Sequence, residues 1–354
     1  MNHPANRPTN RRNFIRLAAL GALATQLPFL SALAATSRIG VVVHSYAARW
    51  QAKTIDEQYP PINDALELLR HCHRIGAGGI QTGIRGWTNV YAQQLRAESE
   101  QLGMYLEGSV ALPKYASDLG LFDQEVKIAK EAGVTVLRCV SLGPRRYESL
   151  HSYGEFLAFQ ARGLKALQLA EPILEKHRMR LAVENHKDWR SEELQAILHT
   201  LDSEWVGVTL DFGNSIALME DPLYTTNLLA PYVISTHIKD MAVDLHPSGF
   251  SMSEVPLGKG ILNLQKIAKI CKRYNPQVTF NLEMITRDPL VIPCLTEEYW
   301  STFGDLVPAS RLAGILAMVE QHRQPLPRVS HLATRELLAL EERNVVSSLA
   351  YRMT

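Results

Sequence analysis

Four side chains that can bind a metal ion or move a proton recur through the second half of this sequence: Glu184 in RLAVENH, Asp211 in TLDFGN, His237 in THIKD and Glu283 in NLEM. Gaps of 27, 26 and 46 residues separate them. Each stands at or near the end of an apolar, β-branched run. A core strand needs a turn residue to end on, not a carboxylate or an imidazole. Three carboxylates gathered in a small dry space raise one another's pKa values and cost several kcal/mol unless a counter-charge joins them. A divalent cation removes the conflict. Three carboxylates and one imidazole form a hard, oxygen-rich set, which suits Mn²⁺ or Mg²⁺ first and Co²⁺ or Zn²⁺ after them.

The elements that would position these residues follow from the pattern around them. Apolar runs over residues 38–46, 79–84, 104–112, 134–143, 180–186, 206–214, 233–241 and 277–285 predict eight strands. Segments with helical spacing separate them. Eight alternations predict a single (β/α)8 TIM barrel over residues 37–323, with an open doubly wound sheet as the competing arrangement. The first two gaps in the quartet each match one strand–helix unit. The third matches one unit with a long loop over 243–261. A barrel carries its chemistry at the C-terminal ends of its strands, so the spacing brings all four residues to one face. No GxGxxG follows the first strand and no P-loop occurs, which leaves a nucleotide-binding reading without support.

The remaining segments and the composition narrow the function further. Residues 1–34 have Arg11-Arg12, an apolar run over 17–33 and an Ala-Leu-Ala end. This is the layout of an export signal of the twin-arginine type, which the export machinery reads as an address. The run is short for a membrane span and contains Gln26 and Pro28, so cleavage after Ala34 and a periplasmic or otherwise exported protein, with no stable membrane insertion, are expected. Residues 324–354 begin with a Pro-bearing linker and end in an amphipathic helix, suited to cover the barrel or to pair with a second copy in a homo-oligomer. The 354 residues carry a net charge of +1, which gives a nucleic acid no basic surface to bind. Cys72, Cys139, Cys271 and Cys294 form no CxxC pair and are expected to be buried free thiols.

The quartet, with ENH, LDFGN, HIKD and PLGKG around it, resembles the xylose isomerase-like barrel superfamily, and within it the sugar isomerase and epimerase branch. The resemblance covers roughly Ser37 to Arg323. It implies that Glu184, Asp211, His237 and Glu283 hold one divalent ion, Mn²⁺ foremost. It also implies that Glu184 and Glu283 double as acid–base groups across the substrate carbon. The chemistry is consistent: a bound cation stabilises an enediolate, and a carboxylate takes the proton α to the carbonyl. The implied function is isomerisation or epimerisation of a non-phosphorylated sugar or keto-sugar. Lyase chemistry on a 3-keto-glycoside starts with the same proton abstraction, and a non-catalytic periplasmic sugar-binding barrel is the reading from another class. Asn214 stands where ketose 3-epimerases often carry a substrate-binding histidine. Strands two and three lack the histidines of the DNA-cleaving branch, so a nuclease is not expected.

Further residues fall near the same face. His186 and Lys187 follow Glu184, and Lys239 lies two after His237. With Asn214 and Tyr46 these are the candidate substrate-binding residues. His44, Glu107 and Tyr147 are placed to shape the pocket. Arg145 and Arg146 read as a solvated loop. Gly258 and Gly260 read as a tight turn with exposed amides near the site.

Overall fold

Seven strands run in sequence: β1 (Gly40–Val42), β2 (Gly79–Gly83), β3 (Tyr105–Ser109), β4 (Val134–Cys139), β5 (Arg180–Glu184), β6 (Val206–Asp211) and β7 (Val233–Ile238). After them come β8 (Asp240–His246), β9 (Gly249–Val255), β10 (Thr279–Leu282) and β11 (Leu290–Ile292). The first seven and β10 close into a barrel in which every neighbouring pair is parallel. This is a single (β/α)8 TIM barrel. The computed structural model describes residues 39–53, 56–141, 144–304 and 307–352. The export segment expected at residues 1–34 lies outside them.

Helices α1 (Ala65–Arg74), α2 (Asn89–Leu102), α3 (Leu119–Glu131), α4 (Arg146–Ser149) and α5 (Tyr153–His177) connect the early strands. Helices α6 (Ser191–Leu201), α7 (Pro222–Leu229) and α8 (Leu264–Tyr274) connect the later ones, and α9 (Glu297–Trp300), α10 (Ala309–His322) and α11 (Thr334–Leu349) close the chain. Side-chain caps mark several helix starts, as at Asp64 and Ser152, whose oxygens accept from backbone amides three residues on. Cys72, Cys139, Cys271 and Cys294 are free and buried. Among the described residues no helix is long and apolar enough to cross a membrane.

Two differences from the sequence expectation matter for the site. The first strand ends at Val42, and the chain then tightens into a 3₁₀ turn over Val43–Tyr46. The segment expected as a long loop at 243–261 is instead an antiparallel hairpin of β8 and β9, joined by β11. The apparent seventh strand breaks at Lys239, where the chain leaves the barrel for this hairpin. Met241, Val243, Phe250, Met252 and Ile292 of the small sheet form a second core with Tyr299, Ile315 and Val319. It is separate from the main core between barrel and helices.

Inside the barrel, Val136, Ala182 and Ile234 form one packed layer. Gly207 belongs with them: a Cβ there would lie 2.4 Å from the Tyr232 carbonyl oxygen and 2.5 Å from Ile234. Because the nearest atom is backbone, Gly207→Ala is expected to destabilise the protein by about 1–3 kcal/mol, the usual scale of overpacking. Chemical denaturation of both proteins measures this. An unchanged midpoint would mean that the barrel wall gives way there without cost.

Candidate metal and substrate site

The quartet converges because its members end adjacent strands. Glu184 is the last residue of β5 and Asp211 the last of β6. Asp211 pairs in register with His237 of β7, and Glu283 follows β10 directly. Their ligand atoms lie within 4.8 Å of one another, and all four side chains are buried. His237 Nδ1 stands 3.4 Å from Glu184 Oε2, 3.6 Å from Glu283 Oε1 and 4.0 Å from Asp211 Oδ2.

A layer beneath fixes their orientation. His237 Nε2 lies 2.6 Å from Gln81 Oε1, and an amide oxygen only accepts, so the proton sits on Nε2. That leaves Nδ1 with a lone pair aimed into the cluster, and it has no hydrogen-bond partner. Gln81 in turn donates to Glu107, which also accepts from Ser235, Thr279 and Asn281. Asn185 brackets the Asp211 backbone, accepting from its N–H at 2.6 Å and donating to its carbonyl at 3.0 Å. Asp211 Oδ1 accepts from the amides of Gly213 and Asn214. Its Oδ2 faces the cluster, where it meets the Lys239 ammonium. One imidazole lone pair, buried without a hydrogen bond, and three carboxylates fit a divalent cation.

The counter-charge has a second source. Arg138 of β4 donates to Glu184 Oε2 from Nε at 2.7 Å and again from Nη2. Lys239 Nζ lies 2.5 Å from Glu283 Oε2 and 2.8 Å from Asp211 Oδ2. Burial raises the Glu184 carboxyl, but Arg138 brings it well below the ordinary range. Glu283 is likewise raised by burial and brought well below by Lys239. Asp211 stays raised, because burial and its two acidic neighbours outweigh Lys239.

Above the quartet opens a cavity of about 240 Å³. His186 and Lys187 line it, as do Lys239, Glu283 and His44. Burial pushes the His186 imidazole down to about 3, so it is neutral at physiological pH, and its Nδ1 is buried without a partner. Burial and Lys239 push the Lys187 ammonium down to about 8. Lys187 donates to Asn214 Oδ1 at 2.5 Å, and Asn214 Nδ2 donates to Glu184 Oε1 at 3.0 Å. Asn214 thus sits beneath the cavity and ties a lysine to a ligand.

Three expectations are corrected. Tyr46 does not face the cavity. The 3₁₀ turn directs it into the core, where its hydroxyl meets His71 Nε2 at 2.9 Å. The same turn brings His44 Nδ1 to 3.1 Å from Glu283 Oε1. Arg146 is fully buried rather than solvated, with Glu193, Thr302 and the faces of Phe156 and Phe303 around its guanidinium. Arg145 lines the cavity and pairs with Glu148. The Gly258 and Gly260 amides are occupied by Asp240 Oδ2, at 2.9 and 2.8 Å.

Residues 69–301 match the family model for xylose isomerase-like TIM barrels. The chain belongs to that family. It is 31% identical over 232 residues to 3-oxo-isoapionate decarboxylase of Pectobacterium atrosepticum, covering 64% of this chain and 78% of that one. A xylose isomerase-like TIM barrel protein from Mycobacterium smegmatis in complex with magnesium superposes with a TM-score of 0.54 at 15% identity, over 82% of this chain and 98% of that one. D-psicose 3-epimerase with D-tagatose from Clostridium cellulolyticum H10 gives 0.53 at 10% identity, over 80% and 98%. At such identities the two structures share the fold.

Gln81→Leu is expected to weaken divalent-ion binding by about 10–100-fold, the scale on which partners of metal-bound histidines act. Titration calorimetry with Mn²⁺ checks it, with His237→Ala as the loss-of-site reference. Parent-like affinity in Gln81→Leu would rule out the tautomer assignment.

Proposed function

We propose that this protein is a divalent-metal-dependent enzyme that forms an enolate from a small oxo-sugar acid by releasing carbon dioxide. The observation that carries the reading is the pair of buried ammonium groups, Lys187 and Lys239, set over an acid–imidazole quartet. With Glu184, Asp211 and Glu283 ionised and Arg138 and Lys239 protonated, three negative and two positive charges leave the group at −1. A divalent ion brings it to +1, and Lys187, whose hydrogen bond goes to a neutral amide, adds to that. A neutral sugar gains little from such a field. A carboxylate is drawn into it and held. The likeness to a decarboxylase acting on a 3-oxo acid supports the same substrate class.

In a 3-oxo acid the bond between the carboxylate carbon and the α-carbon breaks. Its electron pair moves toward the oxo group, carbon dioxide leaves, and a proton then adds to the α-carbon. A cation held by Glu184, Asp211, His237 and Glu283 would supply positive charge where the oxo oxygen gains electron density. Lys187 at the cavity wall, its ammonium pushed down to about 8 by burial and Lys239, is the proton donor of this scheme. Arg145 and Arg287 line the rim, each paired with a carboxylate, Glu148 and Glu254.

The isomerase and epimerase reading is favoured by one observation. Glu283 lines the cavity beside His44, as a base with a route for its proton. Glu184 lies beneath, fully buried between Arg138 and Asn214 and outside the cavity lining. One carboxylate facing the cavity suits one-base isomerisation better than two-base epimerisation.

The test is to incubate metal-loaded protein in D₂O with oxo-sugar acids and with neutral ketoses, following carbon dioxide release and deuterium by NMR. The expected result is carbon dioxide from an acid, with one deuterium placed in the product. Lys187→Met should lower that rate by about 10²-fold or more, the scale of a lost general acid. Deuterium exchange into ketoses without carbon dioxide from any acid would replace this reading with the isomerase. Binding with neither would leave a sugar-binding barrel.

We also propose that the protein is exported by the twin-arginine route, which rests on residues 1–34 of the sequence. Replacing both Arg11 and Arg12 with lysine should retain it in the cytoplasm in a fractionation assay. Normal export of the double variant would end that proposal.

A further inference from the structure

The C-terminal helix α11 lies outside the stretch that matches the family, which ends at residue 301. It nevertheless touches three segments at the barrel mouth. Glu341, fully buried, accepts from the Ala48 amide at 2.7 Å and from the Arg49 amide at 3.2 Å. It thereby holds the end of the 3₁₀ turn whose His44 meets Glu283. Glu342 pairs with the Arg49 guanidinium at 2.8 Å, on the same segment. Asn344 Nδ2 donates to Thr286 Oγ1 at 2.9 Å, three residues beyond Glu283 and next to Arg287 at the cavity wall. Ser348 Oγ accepts from the Leu257 amide, and the Tyr351 ring covers Gly258, so that a Cβ there would lie 2.8 Å from the ring. Gly258 belongs to the turn held by Asp240, the neighbour of Lys239.

A second link joins the 3₁₀ turn to the quartet. Ser45 Oγ donates to the Leu282 carbonyl at 2.9 Å and accepts from the Met284 amide at 3.0 Å. Those two bonds bracket the backbone of Glu283 on both sides. The turn therefore fixes Glu283 twice, through Ser45 at its backbone and through His44 at its carboxylate. A buried carboxylate that satisfies two backbone amides is a strong, directional anchor for such a turn.

We propose that α11 is a positioning element of the active site, in which Glu341 holds the turn that sets Glu283 in the metal cluster. The helix is then a component of the site rather than a cover for the barrel wall. Glu341 touches neither substrate nor metal; it acts through Ser45 and His44. The claim goes beyond the proposed reaction and holds for any chemistry that uses the same cation.

The experiment compares the parent protein with Glu341→Gln, Glu341→Ala and the exposed-face control Ser347→Ala. Two quantities are read: amide hydrogen exchange by segment, and Mn²⁺ affinity by calorimetry. Glutamine keeps one acceptor oxygen and loses the other, so the fold survives while one of the two contacts from Glu341 to the turn is lost. The expected result is faster exchange at residues 43–49 and 283–287, with the ends of β5 and β6 unchanged. Mn²⁺ binding should weaken by about tenfold in Glu341→Ala and less in Glu341→Gln. Ser347→Ala should match the parent in both. Parent-like Mn²⁺ affinity in both Glu341 variants overturns the proposal, whatever the exchange pattern, since a purely structural helix leaves the ion untouched. Faster exchange spread evenly over the barrel overturns it as well. Neither readout needs turnover, so failure of the decarboxylase reading leaves this test intact.

Discussion

Mutual repulsion among three buried carboxylates is the constraint around which the mouth of this barrel is built. Glu184, Asp211 and Glu283 end adjacent or nearby strands, so the barrel's geometry forces them together before any ligand arrives. Desolvation alone would drive their protons back on. Arg138 enters from β4 on one side and Lys239 from the β7–β8 junction on the other. Together they keep Glu184 and Glu283 ionised, and Asp211 is left as the member most resistant to ionisation. A charge of −1 spread over a quartet with an imidazole lone pair attracts a divalent ion without the full strain of three bare anions.

Keeping the imidazole in one tautomer requires a polar layer beneath the cluster, and the barrel interior supplies it. Glu107 is fully buried, yet four side chains donate to it. One of the four is Gln81, whose other end accepts from His237. Buried networks of this kind stabilise only when every member is satisfied. The chain meets that condition from Glu107 as far as His237 Nε2, and so turns a carboxylate deep in the barrel into a determinant of which histidine nitrogen faces the site.

The quartet was legible in the sequence because strand length, turn chemistry and unit spacing are local signals, and each of its residues interrupts an apolar run. The (β/α)8 architecture was legible for the same reason. Arg138 was not, although its position carried a clue. It lies two residues after Val136, which packs inside the barrel with Ala182, so it shares that face one layer nearer the mouth. Sequence parity alone does not say which face of a strand is interior. Tyr46 and His44 were placed together at the end of a strand, but a 3₁₀ turn separates them by direction, one into the core and one to the mouth. The β8–β9 hairpin was hidden because β7 runs into it with a single residue, Lys239, between the two strands. The anchoring by Glu341 spans more than 290 positions, a separation at which no periodicity operates.

With a divalent ion in the quartet the mouth would carry an excess of positive charge, a matter of placement, since the chain carries 37 basic and 36 acidic residues. It also has a cost. An ammonium shared between Asp211 and Glu283 would repel a divalent ion held by the quartet. A site shaped for the ion alone would do better with a neutral hydrogen-bond donor at residue 239. Lys239 and Lys187 are both buried, which adds the desolvation of two cations to that repulsion. On the proposed reading, a further negative charge that enters with the substrate and is shared between the ion and the two lysines would offset that cost. The pair between Arg287 and the buried Glu254 of β9 leaves the charge of the lysines uncancelled, because it is self-contained. On the proposed reading, an anion small enough to enter the cavity would meet the ion and Lys187 together.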